Sequence, residues 1–138
     1  MKKTIFIILI TMFAFSFSAE LKAQCDSIAS SCAKYFAPSF VSDGQQYRAL
    51  LLADQNAEFH TTFYGGSSYR IAACSGFKSG NLVFSVFDEE RNLLFSSKDF
   101  SNAPFWDFKV ASTLDVIIEA TLDGTTSGCA VVLIGFKQ

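Results

Sequence analysis

Proline, histidine, tryptophan and charge are all scarce in this chain of 138 residues: two prolines, one histidine, one tryptophan and a charged fraction of 17%. So little proline, with eight glycines and a hydrophobic content of 50%, excludes a disordered, collagen-like or low-complexity chain. There is no basic run, and the formal net charge of -2 argues against a nucleic-acid surface. The lone histidine excludes zinc signatures such as H-E-x-x-H. No G-x-S-x-G occurs; Gly76-Phe77-Lys78-Ser79-Gly80 has the wrong spacing and reads as a turn. Gly65-Gly66-Ser67-Ser68 lacks the G-K-[ST] ending of a P-loop. Internal repeats and Pro-rich linkers are missing too. The length suits one domain able to bury about two-thirds of its unfolded surface.

What is present begins with an address. Met1-Lys2-Lys3 is a positive start, and Thr4 to Phe17 is a nearly unbroken apolar run. That run is shorter than the roughly 20 residues a bilayer span takes. Small Ala23 follows as a cleavage point, so residues 1–23 read as a signal peptide and 24–138 as a single exported domain. An uncleaved N-terminal anchor is the rival reading. Without residues 1–23 the 11 basic and 13 acidic residues fall to 8 and 12, a net charge of about -4. No second apolar segment is long enough to span a membrane. The expected location is secreted or periplasmic. A lipoprotein anchored at Cys25 is a minor alternative, because Gln24 stands where a lipobox wants a small residue.

Cys25, Cys32, Cys74 and Cys129 are all in the exported part, and an even number in an oxidising compartment suggests two disulfides. Three pairings are open. Asp26-Ser27 before Ile28, Ala29, Ala33, Tyr35 and Phe36 predicts a short N-capped helix over about 26–36. In one continuous helix Cys25 and Cys32 would stand about 10 Å apart along the axis. A disulfide needs Cα atoms within roughly 7 Å. Local pairing therefore requires Cys25 to fall outside the helix; otherwise the helix is stapled to the strands carrying Cys74 and Cys129. Metal binding by these cysteines lacks a C-x-x-C or clustered histidines.

From residue 45 to 136 the pattern has period two, broken by turn residues every eight to twelve positions. Strands are predicted at Gln46–Ala53, Ala57–Tyr64, Tyr69–Cys74, Leu82–Phe87, Asn92–Ser96, Phe105–Val110, Asp115–Leu122 and Cys129–Phe136. The stretch Asp88-Glu89-Glu90-Arg91 between two of them is the clearest hairpin signal. The closing strand is apolar on both faces and belongs in the centre of a sheet. The fold class is all-β: an antiparallel jelly-roll-like β-sandwich of about eight strands preceded by a short N-terminal helix.

Tyr69-Arg70-Ile71, Leu82 to Asp88, Asn92-Leu93-Leu94-Phe95, Trp106-Asp107-Phe108 and Val116-Ile117-Ile118 carry a resemblance. The pattern is similar to pre-peptidase C-terminal domains and to the GOLD domain. As a whole the chain resembles small secreted bacterial proteins of unknown function. The resemblance implies a jelly-roll-like sandwich used for binding, cargo or folding support, without catalysis of its own.

Candidate chemistry is sparse. His60 alternates onto the polar side of its strand with Glu58, Thr62 and Tyr64, and reads as a surface histidine or the base of a small hydrolase. Asp88-Glu89-Glu90 offers oxygen ligands for Ca2+ without the D-x-D-x-D-G spacing, and reads as a solvated hairpin tip. Asp107 with Glu119 is a glycosidase pair only if about 5 to 9 Å apart. Trp106 shares a face with Phe108; it would stack on a sugar or anchor a partner, or else fill the core between two sheets. Tyr47, Tyr64 and Tyr69 near Arg48 and Arg70 form another candidate patch. The expectation is a non-catalytic binding domain whose ligand residues include Trp106, Tyr69, Arg70 and His60. It needs no cofactor and takes a protein or carbohydrate partner. The alternatives are a hydrolase using His60, or a structural or inhibitor protein binding another secreted protein.

Overall fold

The computed structural model describes residues 17–36, 38–76, 81–124 and 127–137, with side chains from Gln24 onward. The charged start and most of the apolar run, and residues 77–80 and 125–126 of two expected turns, lie outside the described residues.

Helix α1 spans Phe17–Cys32 and continues into a 3₁₀ turn at Ala33–Phe36. Eight strands follow: β1 Val41–Leu51, β2 Asn56–Phe63, β3 Ser68–Ser75, β4 Leu82–Asp88, β5 Leu93–Ser96, β6 Phe105–Lys109, β7 Leu114–Leu122 and β8 Gly128–Lys137. They form two four-stranded antiparallel sheets, sheet A in the order β1-β8-β3-β6 and sheet B in the order β2-β7-β4-β5. Every consecutive pair except β4 and β5 crosses from one sheet to the other, which is the jelly-roll arrangement of a β-sandwich.

The expected helix over about 26–36 is corrected at its start. Ala19, Glu20, Leu21, Lys22, Ala23 and Gln24 are good helix formers, so nothing halts the helix at residue 26, and Asp26 and Ser27 lie inside it rather than capping it. Asp26 instead forms an ion pair with Arg48 of β1. The first strand also starts earlier than Gln46. Asp43-Gly44, expected as the turn that opens the strand, is absorbed inside it as an irregularity between Ser42 and Gln46, with Gly44 at φ 82°.

Alternate residues of both sheets meet in the core. Ile71, Ala130, Val132 and Ile134 from sheet A face Phe84, Val86, Val116, Ile118 and Ala120 from sheet B, all essentially free of solvent. A second apolar cluster lies on the outer face of sheet A. There Ile28, Ala29, Cys32 and Phe36 cover Ala72, Cys129, Val131 and Leu133. This explains the closing strand: β8 lies between β1 and β3, with one face in the core and the other under α1, so Cys129 to Gly135 are all buried.

Two disulfides pin the helix there, Cys25–Cys129 and Cys32–Cys74, with Cα atoms 5.7 and 5.9 Å apart. Seven residues are almost two helical turns, so both cysteines point to the same side of α1. Each therefore reaches a different neighbouring strand of sheet A. The lipid-anchored alternative at Cys25 is corrected by the same bond, because the sulfur that would carry the lipid is joined to Cys129.

Candidate functional site

The sandwich has two unlike outer faces. That of sheet A is covered by α1. That of sheet B carries no element of the described residues, and its side chains are set by period two and register. On β2 the outward residues are Glu58, His60 and Thr62, because Ala57, Phe59 and Phe63 pack inward. On β7 they are Asp115, Ile117 and Glu119, and on β4 Ser85 and Phe87. Register sets Glu58 opposite Glu119, His60 opposite Ile117, and Thr62 opposite Asp115. Ile117 is opposite Phe87 on its other side, and Phe87 opposite Leu93. The face thus has a middle row, His60–Ile117–Phe87–Leu93, apolar beyond His60 and flanked by carboxylates.

His60, Thr61, Thr62, Glu89, Asp115, Val116 and Ile117 line a groove of about 380 Å³ on this face. The His60 side chain is 68% exposed, and its Nε2 lies 4.0 Å from Glu58. The Thr62 hydroxyl donates to Asp115. At the β4–β5 tip the Asn92 backbone N–H and side-chain amide both donate to the Asp88 carboxylate, at 2.8 and 2.9 Å. The Asn92 side chain, then its backbone N–H, hold the Asp88 carboxyl below its ordinary value. Arg91 follows in the left-handed region, φ 62°, and turns back to donate to both Glu58 oxygens at 2.8 Å. Hydrogen bonding to Glu58, then its charge, raises the Arg91 guanidinium. Among the described residues no three His, Cys, Asp or Glu side chains are grouped to hold a metal ion.

The other expected residues lie elsewhere. Arg70 and Asp107 face each other across β3 and β6, joined by two parallel bonds of 2.6 and 2.7 Å. Arg70 also donates to the Tyr35 carbonyl at 2.6 Å and lies against the rings of Phe40 and Phe105. The Asp107 hydrogen bond raises the Arg70 guanidinium further against partial desolvation. These contacts knit the 3₁₀ turn to sheet A. Tyr69, one residue earlier, points the opposite way. It is buried against Phe63, with its hydroxyl accepting from the Tyr64 N–H. Tyr47 likewise packs on Phe59 while Arg48 points out to Asp26. The expected tyrosine–arginine patch is thus split, since neighbours in a strand face opposite sides. Asp107 and Glu119 are on different sheets and form no carboxylate pair.

Trp106 belongs to an aromatic cluster bridging the β5 and β6 edges. Its ring is 5.0 Å from Phe95 and 4.3 Å from Phe100, and Phe95 meets Phe108 edge-on. Beside it a cavity of about 240 Å³ opens between the sheets, lined by Phe63, Val86, Leu94, Phe108 and Val110 among others. Trp106 and His60 thus mark separate places. The sequence reading set Glu58 and Thr62 beside His60 but missed Glu119 and Arg91 as members of that site. The alternation on β2 was a readable signal for Glu58, but the pairing of β2 with β7 was not.

No protein-family model matches the chain, and no curated protein does. Among solved structures it is similar to PliG of Aeromonas hydrophila, a periplasmic lysozyme inhibitor of g-type lysozyme. The TM-score is 0.52 at 9% identity, over 67% of this chain and 85% of that one. It is also similar to the pre-peptidase C-terminal domain of a collagenase from Bacillus anthracis, with a TM-score of 0.48 at 9% identity, over 65% and 87% of the two chains. The class defined by fold and topology is a small jelly-roll β-sandwich, as the strand pattern implied. At 9% identity the likeness to PliG speaks for the fold alone.

Proposed function

We propose that the chain is exported, loses residues 1–23 as a signal peptide, and serves as a non-catalytic domain that binds another protein in the cell envelope or outside. One observation carries the reading: α1 is stapled over the outer face of sheet A by two disulfides, while the grooved outer face of sheet B carries no element of the described residues. The disulfides suit an oxidising compartment. Among the described residues no helix is long and apolar enough to cross a membrane. A sandwich of this fold serves as a protein inhibitor in PliG, which supports a protein partner over a small substrate. Of the four expected ligand residues, His60 lies on the open face. Trp106 lies on the aromatic edge, and Arg70 and Tyr69 have packing roles.

Affinity capture of the native exported protein with mass spectrometry tests the reading; a stoichiometric protein partner is expected. N-terminal sequencing should find Gln24 first. Turnover of an ester, peptide or glycoside substrate, lost on His60→Ala, refutes the non-catalytic assignment.

A further inference from the structure

The charges of this chain are not spread evenly. All four glutamates from Gln24 onward, Glu58, Glu89, Glu90 and Glu119, lie on sheet B or at its β4–β5 tip, together with Asp88 and Asp115. Against these six carboxylates the region holds, among the described residues, one Lys or Arg, Arg91. The other described residues from Gln24 carry six carboxylates and six Lys or Arg, so the whole net negative charge of the described residues lies in this one region. Resting on the protein-binding reading, we infer that the outer face of sheet B docks a basic protein segment, one that sets Lys or Arg on the carboxylates and apolar side chains on the His60–Ile117–Phe87–Leu93 row.

The geometry separates this face from a merely solvated one. Its middle is apolar: Ile117 is 7% exposed although it points outward, and Leu93, beyond Phe87 on the edge strand, is 55% exposed. A groove of about 380 Å³ runs between that row and Glu89 and Asp115. Glu58 and Glu119 sit directly opposite on neighbouring strands, where like charges repel. Arg91 bridges to Glu58 from a left-handed backbone position that a non-glycine residue adopts only at a cost. A cationic partner would relieve this repulsion on binding, and complementary charge both speeds encounter and sets register.

The test uses the full exported protein, a probe peptide of about 12 alternating lysines and leucines, and a glutamate–leucine peptide of equal length. Isothermal titration at an ionic strength of about 0.01 M, where the Debye length is about 30 Å, is paired with amide shift mapping by NMR. The lysine peptide should bind at least tenfold tighter than the glutamate peptide, with shifts centred on β2, β7 and the β4–β5 tip. Glu89→Gln, Glu90→Gln and Glu119→Gln together should weaken it about tenfold, as three rim charges of about 0.5 kcal/mol each imply. Asp54→Asn, Asp99→Asn and Asp123→Asn, which change the net charge equally elsewhere, should leave affinity within about twofold. Equal weakening by both triple variants, or shifts centred on sheet A, overturns the inference. So does a captured natural partner retained undiminished by the glutamine variant; that result leaves the protein-binding reading standing, whereas absence of any captured partner removes that reading too.

Discussion

Replacing Cys32 and Cys74 with alanine removes a bridge whose ends are 42 residues apart. The chain-entropy relation gives a loss of about 4 kcal/mol at 25 °C for a loop of that length. The longer Cys25–Cys129 loop, 104 residues, is worth only about 0.8 kcal/mol more, because closure entropy grows with the logarithm of length. What then holds α1 is the burial of Ile28 and Phe36, about 1.5–3 kcal/mol each. The part of α1 from Gln24 onward is too short to be stable alone. For a domain of this size 4 kcal/mol corresponds to a Tm fall of about 15 °C. Circular dichroism melting of C32A/C74A measures that fall. Hydrogen exchange after reduction of both bridges locates it: amides of α1 should lose protection while those of β3, β8, β4 and β7 keep theirs. A Tm change under about 5 °C, or α1 amides as protected as the central strands in the reduced protein, refutes the reasoning.

Arg70→Lys keeps the charge but loses the fork to Asp107 and the flat contact with Phe40 and Phe105, and should cost about 1–2 kcal/mol in urea unfolding; a change below about 0.3 contradicts the pairing. At Gly65 a Cβ would meet the Ala111 carbonyl oxygen at 2.9 Å and the Thr113 nitrogen at 3.0 Å, so Gly65→Ala should destabilise by about 1–3 kcal/mol, read by the same assay. Trp106→Ala should cost about 3–5 kcal/mol by unbuttoning Phe95 and Phe100; unchanged stability with loss of a glycan-array signal would instead make Trp106 a sugar platform. The Asp88 carboxyl is held below its ordinary 3.8, so its share of the hairpin's stability is present above pH 3.8 and is lost as pH falls through the lower folded value. The Asn92 amide shift should titrate with a midpoint below 3.8, and a midpoint at or above it counts against the Asn92 contacts.

Period-two alternation exposed all eight strands within a few residues, because side-chain direction in a strand is local. It also placed β8 in mid-sheet, since a strand apolar on both faces must be covered on both. The same local rule set Glu58, His60 and Thr62 on one side of β2. What alternation does not carry is the neighbour. That Glu58 meets Glu119, that Arg91 folds back over Glu58, and that Asp107 serves Arg70 depend on pairings between strands far apart in the chain.

The cysteines mark the boundary most clearly. Their even number is a property of the sequence, and it argues for bridged cysteines whatever the fold. The connectivity depended on how far α1 extends. Once Cys25 lies inside the helix, it is too distant along the axis to bond Cys32, and both must reach across to sheet A. The sequence alone therefore determined an acidic, disulfide-bearing β-sandwich, because hydrophobic period and turn residues act over a few positions. Only the tertiary structure decided which outer face α1 seals, because that choice is made by contacts between segments up to 104 residues apart.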